Sequence, residues 1–416
     1  MESIELYQQL LGLTVPWTVE RVELGIDQQR VEVHVSHPPG QRFACPECGH
    51  ELSVYDHQAE RVWRHLDSCQ FLTYLHARPP RVSCPTHGVR QVTLPWAEAG
   101  SRFTHLFEAL AINVLQAANV KKAAGLLRIT WDEAWHLMER AVIRGRAAKG
   151  VEVPKQIGID EKAIAKGHRY MTLVCDLNAA TVEYIGEDRK ESSLTAYFDA
   201  FPLEQRAKID AISLDMWPAY IAACRSNVPD ADSKMVFDRF HLMRHVIEGV
   251  DKVRKQEHKV LLEAGDATLS KSKYLWLTNP ANMTSAMRAR FSALKTVELK
   301  TSRAWALKES LRELWRYQSP AWALKFWKRW YFWATHSRLA PMIEAAKLIG
   351  RHLPNVLTYF THRITNAVAE GLNSKIATVQ KRACGYRNPD HFKIAIYFHC
   401  GGLNLFPNIV SHTKVG

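Results

Sequence analysis

QIGIDEKAIAKGHRYMTLVCDLNAATVEYIGE, residues 156–187, is the stretch on which the fold turns. QIGIDEKAI, YMTLVCDL and TVEYIGE read as three consecutive strands. Beyond them SLTAYFDAF is helical, AISLD a strand, WPAYIAACR a helix and KMVFD a strand. This order predicts a mixed sheet flanked by helices. In IGID and ISLD the apolar pattern closes on an aspartate, Asp160 and Asp215, and period 2 sets each on the face opposite the apolar residue before it. A carboxylate where a hydrophobic strand finishes is costly to bury unpaired, so it caps a turn or binds a cation. Either aspartate alone reads first as a turn residue and only second as a functional one.

Outward from this stretch, the 416 residues are enough for two or three domains with cores of their own. Up to about residue 95 the chain alternates as short strands do: RVELGIDQQRVEVHVSH reads as a hairpin, and QFLTYLHARPPRVSC has period-2 spacing broken by a Pro-Pro. From Phe103 to about Lys149 the period becomes helical, and a Val/Pro/Lys linker, VEVPKQ, follows. Residues 244 to about 360 are almost wholly helical and rich in Trp. The expected division is a zinc-ribbon-like module over 1–98, a helix-turn-helix over 99–150 and an α/β domain over 151–416 with a helical insertion at about 246–360.

Lys and Arg total 55 against 42 Asp and Glu, a formal charge of +13, which favours a polyanionic partner, usually nucleic acid. No apolar run approaches the roughly 20 residues of a membrane helix. MESIELYQQLLGLTVPW lacks the basic start and apolar core of a signal peptide. The eight cysteines then read as reduced thiols plus a metal site, and the expected compartment is the cytoplasm.

RFACPECGHEL supplies Cys45 and Cys48, and RVSCPTHGV supplies Cys84 and His87. Two pairs of soft ligands, each with two residues between its members, fit the two knuckles of a tetrahedral zinc site. Pro follows the first Cys of both pairs and Gly follows the second member, as tight knuckles need. Four protein ligands leave no open position, so the zinc is structural. Cys69 reads as a bystander.

VKKAAGLLRITWDEAWHLMERAVIRG has the spacing of a helix-turn-helix. Ala124 allows close packing, Leu127 and Ile129 are core, Ala134 and Leu137 anchor a second helix, and Thr130 with Glu133 makes a capping box. The expected exposed face carries His136, Arg140 and Arg144, with Lys121, Lys122 and Arg128 as further DNA contacts. The turn reads Arg128-Ile129-Thr130 where Gly is common, and an ordinary helical hairpin is the competing reading.

ITNAVAEGLNSKIATVQKR reads as a helix from about Asn366, with Ala367, Val368, Leu372, Ile376 and Val379 forming much of its buried stripe. Asn366, Glu370 and Asn373 share another face. Glu370 is the single carboxylate in a basic segment that ends in KRACGYRN, whose Lys381, Arg382 and Arg387 suit phosphate contact.

The order IGIDE, ISLDMWPAY, FDRFHLMRHV, ITNAVAEGLNSKI and KRACGYRN resembles the insertion-sequence transposases of the ISL-three group over nearly the whole chain. The resemblance implies an RNase H-like domain with an Asp-Asp-Glu triad, which falls on Asp160, Asp215 and Glu370. The group's Asp-x-x-His element falls on Asp238 and His241, where an orienting role and a structural one are both open. The implied function is a bacterial DNA transposase that binds terminal inverted repeats, cuts the element's ends and joins 3′-hydroxyls to target DNA. Two Mg²⁺ (or Mn²⁺) ions activate the entering oxygen and stabilise the leaving one in such chemistry. Asp160 would bridge both ions, Asp215 would bind one and Glu370 the other. Double-stranded DNA at transposon ends and target is the expected partner, with a homodimer or higher oligomer on it, no membrane, and association with the nucleoid.

Two rival readings differ in chemistry. One is a zinc and helix-turn-helix regulator whose RNase H-like domain is an inactive scaffold; the other is a resolvase-like nuclease that cuts without joining. Asp176 reads as a turn residue. The cluster of Trp305, Trp315, Trp322, Trp327, Trp330 and Trp333 reads first as bundle core and second as a platform for unpaired bases.

Overall fold

The computed structural model describes residues 3–150, 152–165, 169–295 and 297–408; Val151, the head of the expected linker, lies outside them. The chain forms two compact units. The first comprises Met1–Gly150, Val379–His399 and Leu403–Gly416, and the second Val151–Thr378 and Cys400–Gly402.

The first unit opens with a helix, α1 (Ser3–Leu10), that strand alternation does not announce. Two four-stranded sheets follow. One has the order β1 (Thr18–Gly25), β2 (Arg30–Ser36), β6 (Leu72–Ala77), β5 (Arg61–Arg64); the other has β3 (Arg42–Ala44), β4 (Glu51–His57), β7 (Pro80–Cys84), β8 (Gly88–Gln91). β1 and β2 form the expected antiparallel hairpin. Arg78 and Pro79 separate β6 from β7, which opens on Pro80, and the two strands enter different sheets because proline cannot donate to a continuous ladder. Alternate residues Val31, Val33 and Val35 of β2 and Leu75 of β6 pack with Trp17, Trp63 and Trp96 in one core.

Helices α2 (His105–Ala117), α3 (Val120–Leu127) and α4 (Trp131–Ala148) follow. Thr130 and Glu133 form the capping box of α4. Arg128 closes α3 in the left-handed conformation with φ 55°, a position that glycine takes without strain, and its side chain is tied to Asp67 and Gln70 O. Ala124, Leu127, Ala134 and Leu137 are buried as expected, and Ile129 is half-buried.

The second unit is built on a five-stranded sheet of β9 (Gln156–Ala165), β10 (Arg169–Asp176), β11 (Thr181–Gly186), β12 (Ala211–Leu214) and β13 (Met235–Phe237). Its spatial order is β11-β10-β9-β12-β13, with β9–β11 an antiparallel meander and β12 and β13 joined in parallel. This is an RNase H-like mixed sheet. Helices α5 (Glu191–Asp199) and α6 (Pro218–Asn227) cover one face, where Ile157, Ile159, Ile212 and Leu214 meet Leu194, Phe198 and Tyr220.

The helical insertion begins with α7 (Arg239–Glu263) and includes α8 (Lys300–Arg312), α9 (Pro320–Thr335) and α10 (Ala340–Arg351). Trp315, Trp327 and Trp330 are buried in it, and Trp330 Nε1 donates to Leu307 O at 2.9 Å. Those rings are bundle core; Trp322 and Trp333 are exposed. The chain then forms α11 (Ala367–Arg382), which passes from the second unit to the first after Thr378, and α12 (Pro389–Cys400). The buried stripe of α11 is Ala369, Leu372, Ile376 and Val379; Ala367 is exposed and Val368 half-buried, a shift of the expected stripe by one or two residues at its start. No helix among the described residues is long and apolar enough to cross a membrane.

Candidate active site

The site is set by register. β12 pairs with β9 through Ala211↔Gln156, Ile212↔Ile157 and Ser213↔Gly158. Carried two residues further, that pairing lays Asp215 beside Asp160. The pairing Leu214↔Phe237, carried one residue further, lays Asp238 beside Asp215. Three aspartates thus stand in a row where β12 and β13 end. Asp160 itself is not at a strand end: β9 continues to Ala165 because β10 pairs with it along its whole length. Only the edge of β9 that faces β12 opens at Asp160.

Period 2 then decides what covers each face. Ile157 and Ile159 point into the α5/α6 core, so Gly158 and Asp160 face the other way. A Cβ at Gly158 would meet Leu177 Cδ2 at 2.7 Å, Asn366 Oδ1 at 3.2 Å and Ala369 Cβ at 3.4 Å, so the start of α11 lies in close contact with this face of β9. One turn on, Asn373 Nδ2 donates to Asp160 Oδ2 at 2.7 Å. Asn366 and Asn373 therefore both face β9, and Glu370, between them at i+4 and i−3, shares that side. Glu370 is exposed, and its carboxylate has no hydrogen bond or ion pair among the described residues.

Around the row the polar contacts are specific. Asp160 Oδ1 accepts from Glu161 N at 2.8 Å, and Asp215 Oδ1 from Met216 N at 2.6 Å. Asp238 caps α7 by accepting from His241 N, and His241 Nδ1 lies 2.9 Å from Asp238 Oδ2. The other ring nitrogen, Nε2, stands 3.9 Å from Asp215 Oδ2. His241 thus links two members of the row. Burial pushes the Asp160 carboxyl above its ordinary value, against the Glu161 amide, His241 and Asn373. Asp238, followed by the charge of Asp215, pushes His241 up. A carboxylate that resists ionisation by burial, beside a second one and a free glutamate, is a donor set that a hard cation stabilises. The oxygens of Asp160, Asp215 and Glu370 are not all within 4.8 Å of one another, as a single-ion cage would have them.

Sequence spacing does not reveal the neighbouring Arg189. Its guanidinium lies 4.4 Å from the ring centres of both Tyr170 and Trp217 and 3.5 Å from Glu161. It braces the segments that follow Asp160 and Asp215, from a turn with no pattern to mark it. Asp176 is the turn residue expected, its Oδ1 accepting from Asn178 N and Ala179 N.

In the first unit the ligand atoms of Cys45, Cys48, Cys84 and His87 all lie within 4.8 Å of one another. Cys48 Sγ to Cys84 Sγ is 3.6 Å, and His87 Nδ1 is 3.5 Å from Cys84 Sγ and 3.9 Å from Cys45 Sγ. Tetrahedral zinc requires roughly 3.8 Å between sulfurs and 3.6 Å from sulfur to nitrogen. Backbone amides, that of Glu47 on Cys45 and of His87 on Cys84, hold both thiols below their ordinary value. His50, which the spacing does not single out, stands 3.5 Å from Cys48 Sγ. Cys69 is outside the cluster.

The expected DNA contacts divide. Lys121, Lys122, His136, Lys381, Arg382 and Arg387 are exposed. Arg140 and Arg144 are not on an open face, contrary to the sequence reading. Arg140 pairs with Glu98 at 3.0 Å and Glu108 at 2.9 Å, and Arg144 with Glu98 at 2.5 Å. Glu108 is buried on α2, where its carboxyl is pushed up by desolvation, and both arginines turn inward to neutralise it. Arg128 is likewise spent on Asp67 and on Gln70 O, at 2.9 Å from the latter.

Comparison with known proteins adds three family matches. Residues 157–396 match a transposase family model, residues 41–87 the zinc-finger of transposases IS204/IS1001/IS1096/IS1165, and residues 92–142 the helix-turn-helix domain of transposase family ISL3. The transposase for insertion sequence element IS1001 of Bordetella parapertussis is 28% identical over 395 residues, 93% of this chain and 96% of that protein. The transposase for IS1557 of Mycobacterium tuberculosis (strain CDC 1551 / Oshkosh) is 27% identical over 421 residues, 94% of each.

Proposed function

Because the chain belongs to transposase family ISL3, a family of DNA-cleaving and DNA-joining enzymes, we propose that it cuts the ends of an insertion sequence and joins them to target DNA through Asp160, Asp215 and Glu370. The observation that carries this reading is the row of Asp160, Asp215 and Asp238 on adjacent strands, with the Glu370 face of α11 laid over Gly158 and Asp160.

Two divalent ions, Mg²⁺ or Mn²⁺, held by Asp160, Asp215 and Glu370, would supply Lewis acidity to the entering and leaving oxygens. The chain's own groups prepare the place. Asn373 and the Glu161 amide fix the rotamer of Asp160, the Met216 amide fixes Asp215, and His241, itself oriented by Asp238, sets the charge between the two aspartates. Glu370, whose carboxylate has no partner among the described residues, would complete the ligand set when DNA arrives. No serine or tyrosine nucleophile is needed, since water and a 3′-hydroxyl are the attacking groups.

In the same reading zinc sits at Cys45, Cys48, Cys84 and His87 and holds the ribbon. The division into a module over 1–98, a helix-turn-helix over 99–150 and a catalytic domain over 151–416 belongs to it. Lys121, Lys122, His136, Lys381, Arg382 and Arg387 contact phosphates, two or more copies act together on the paired ends, and the protein works in the bacterial cytoplasm on the nucleoid.

The test is cleavage and joining of a labelled element-end duplex by wild type and Glu370→Gln, with Mg²⁺ or EDTA. Metal-dependent products that vanish in the variant while DNA binding persists support the reading. Equal binding without product from either protein, with Mn²⁺ also tried, would favour the regulator.

A further inference from the structure

One cavity of the first unit is not used by anything above. It has a volume of about 570 Å³ and lies between the start of α4 and the turn joining α11 to α12, with Trp131, Trp135, Tyr386, Lys121, Arg382 and Arg387 in its wall. No Asp or Glu lines it. Lys121, Arg382 and Arg387 make no ion pair among the described residues, unlike Arg128, Arg140 and Arg144, each of which a carboxylate holds. Three cations without an ion pair, set around one aromatic hollow that has no carboxylate in its wall, mark a place for an anion with a flat ring.

The rings are prepared as platforms. Trp131 and Trp135 lie parallel, 5.7 Å apart with 5° between their planes, and His391 packs on Trp135 at 4.2 Å. Trp135 is buried, whereas Trp131 is 44% exposed. An exposed tryptophan stiffened from behind by a buried one loses little freedom when a third ring stacks on it. Tyr386 is braced in the same way by Phe392, 5.0 Å away and 22° from parallel. The turn that presents Tyr386 is fixed by Gly385 at φ +98°, whose amide bonds Gln380 O at 2.9 Å. Asn119, the cap of α3, ties the other wall to it by donating to Arg382 O at 3.1 Å.

We propose that this cavity binds one unpaired nucleotide of the DNA on which the protein acts, its base stacked against Trp131 and Tyr386 and its phosphate held by Lys121, Arg382 and Arg387. A volume of this size holds one nucleotide, and a base can lie against both rings only after it has left the helical stack. Aromatic stacking accepts any base, and cations around the ring supply affinity without sequence preference. The site rests on the reading that the protein acts on DNA, and on nothing in the carboxylate chemistry.

The test uses the full chain with two probes of one sequence: a blunt duplex, and the same duplex with a three-nucleotide single-stranded tail carrying 2-aminopurine. The wild type binds the tailed probe at least tenfold more tightly and quenches its fluorescence. Trp131→Ala and Tyr386→Ala remove most of that preference and the quenching, with blunt-duplex affinity within twofold of wild type, and Trp131→Phe retains both. Equal wild-type affinity for the two probes would overturn the proposal. So would equal weakening of both probes by Trp131→Ala and Tyr386→Ala, or competition by free dAMP as tight as the tail, which would point to a soluble nucleotide. Tail preference in a protein that neither cuts nor joins would count against the transposase chemistry alone, and cutting without tail preference against the cavity alone.

Discussion

The charged clusters of the first unit and the carboxylate row of the second treat their charges in opposite ways. In the first, charged and ligating groups close on one another: Glu108 on Arg140 and Arg144, Asp67 on Arg64 and Arg128, and Cys45, Cys48, Cys84 and His87 on a common centre. In the second, Asp160 and Asp215 have no Lys or Arg ion pair among the described residues, only backbone amides, Asn373 and the nearby His241, and the Glu370 carboxylate has no partner at all among them. The first arrangement spends its electrostatics on stability. In the proposed function the second leaves them for divalent ions and DNA. A site held open in this way costs folding energy, which a ligand bound there would offset.

If that contrast holds, the largest effect belongs to the closed site. Cys84→Ser should lose bound zinc, measured by atomic emission, and abolish the cooperative melting of the first unit, because metal binding and folding are one process in such modules. Bound zinc retained in the variant would show that Cys84 does not hold it, and cooperative melting retained after zinc is lost would show that the four ligands close without metal. Next comes the open site. Asp160→Asn should lower the cleavage rate by roughly 10³-fold or more, about 4 kcal/mol of activation free energy, with the melting temperature unchanged or raised. A destabilised variant would mean that Asp160 is structural.

A smaller effect separates the units by pH. His65 is buried against Thr104, 2.8 Å from its hydroxyl, and burial together with Arg64 lowers its pKa from 6.5 to about 4. Its folded pKa lies below the unfolded value, so the unfolded chain binds the extra proton between the two. The stabilisation is complete above pH 6.5 and is lost as pH falls towards 4, about 3 kcal/mol in all. Denaturant titrations of wild type and His65→Gln from pH 7 to 4.5 should show that slope in the wild type only. Smaller again, Arg144→Ala should cost about 2 kcal/mol in stability through Glu108 while leaving the salt dependence of DNA binding untouched; Lys121→Ala should reduce that salt slope by about one. A reduced slope for Arg144→Ala would return it to the DNA surface.

The contrast also explains what the sequence reveals. The ribbon ligands are legible because knuckle spacing is local, and the sheet because β9, β10 and β11 follow one another with clear period 2. Asp160, Asp215 and Glu370 are visible as odd carboxylates, but only the family resemblance joins them, since register between β9 and β12 is not written in either strand. Arg140 and Arg144 mislead because helical period gives a face and not its neighbour: Glu108, thirty-odd residues upstream, decides which way they turn. Arg189 was invisible for the same reason, a lone arginine in a turn whose aromatic partners come from two other segments.

The most direct test of the open site asks where a divalent ion sits. Fe²⁺ substituted for Mg²⁺, with ascorbate and peroxide, breaks the backbone beside its ligands, and mass spectrometry locates the breaks. The account predicts cuts near Asp160, Asp215 and Glu370 that excess Mg²⁺ suppresses and that weaken in Glu370→Gln. Cuts elsewhere, or cuts indifferent to Mg²⁺, would contradict it.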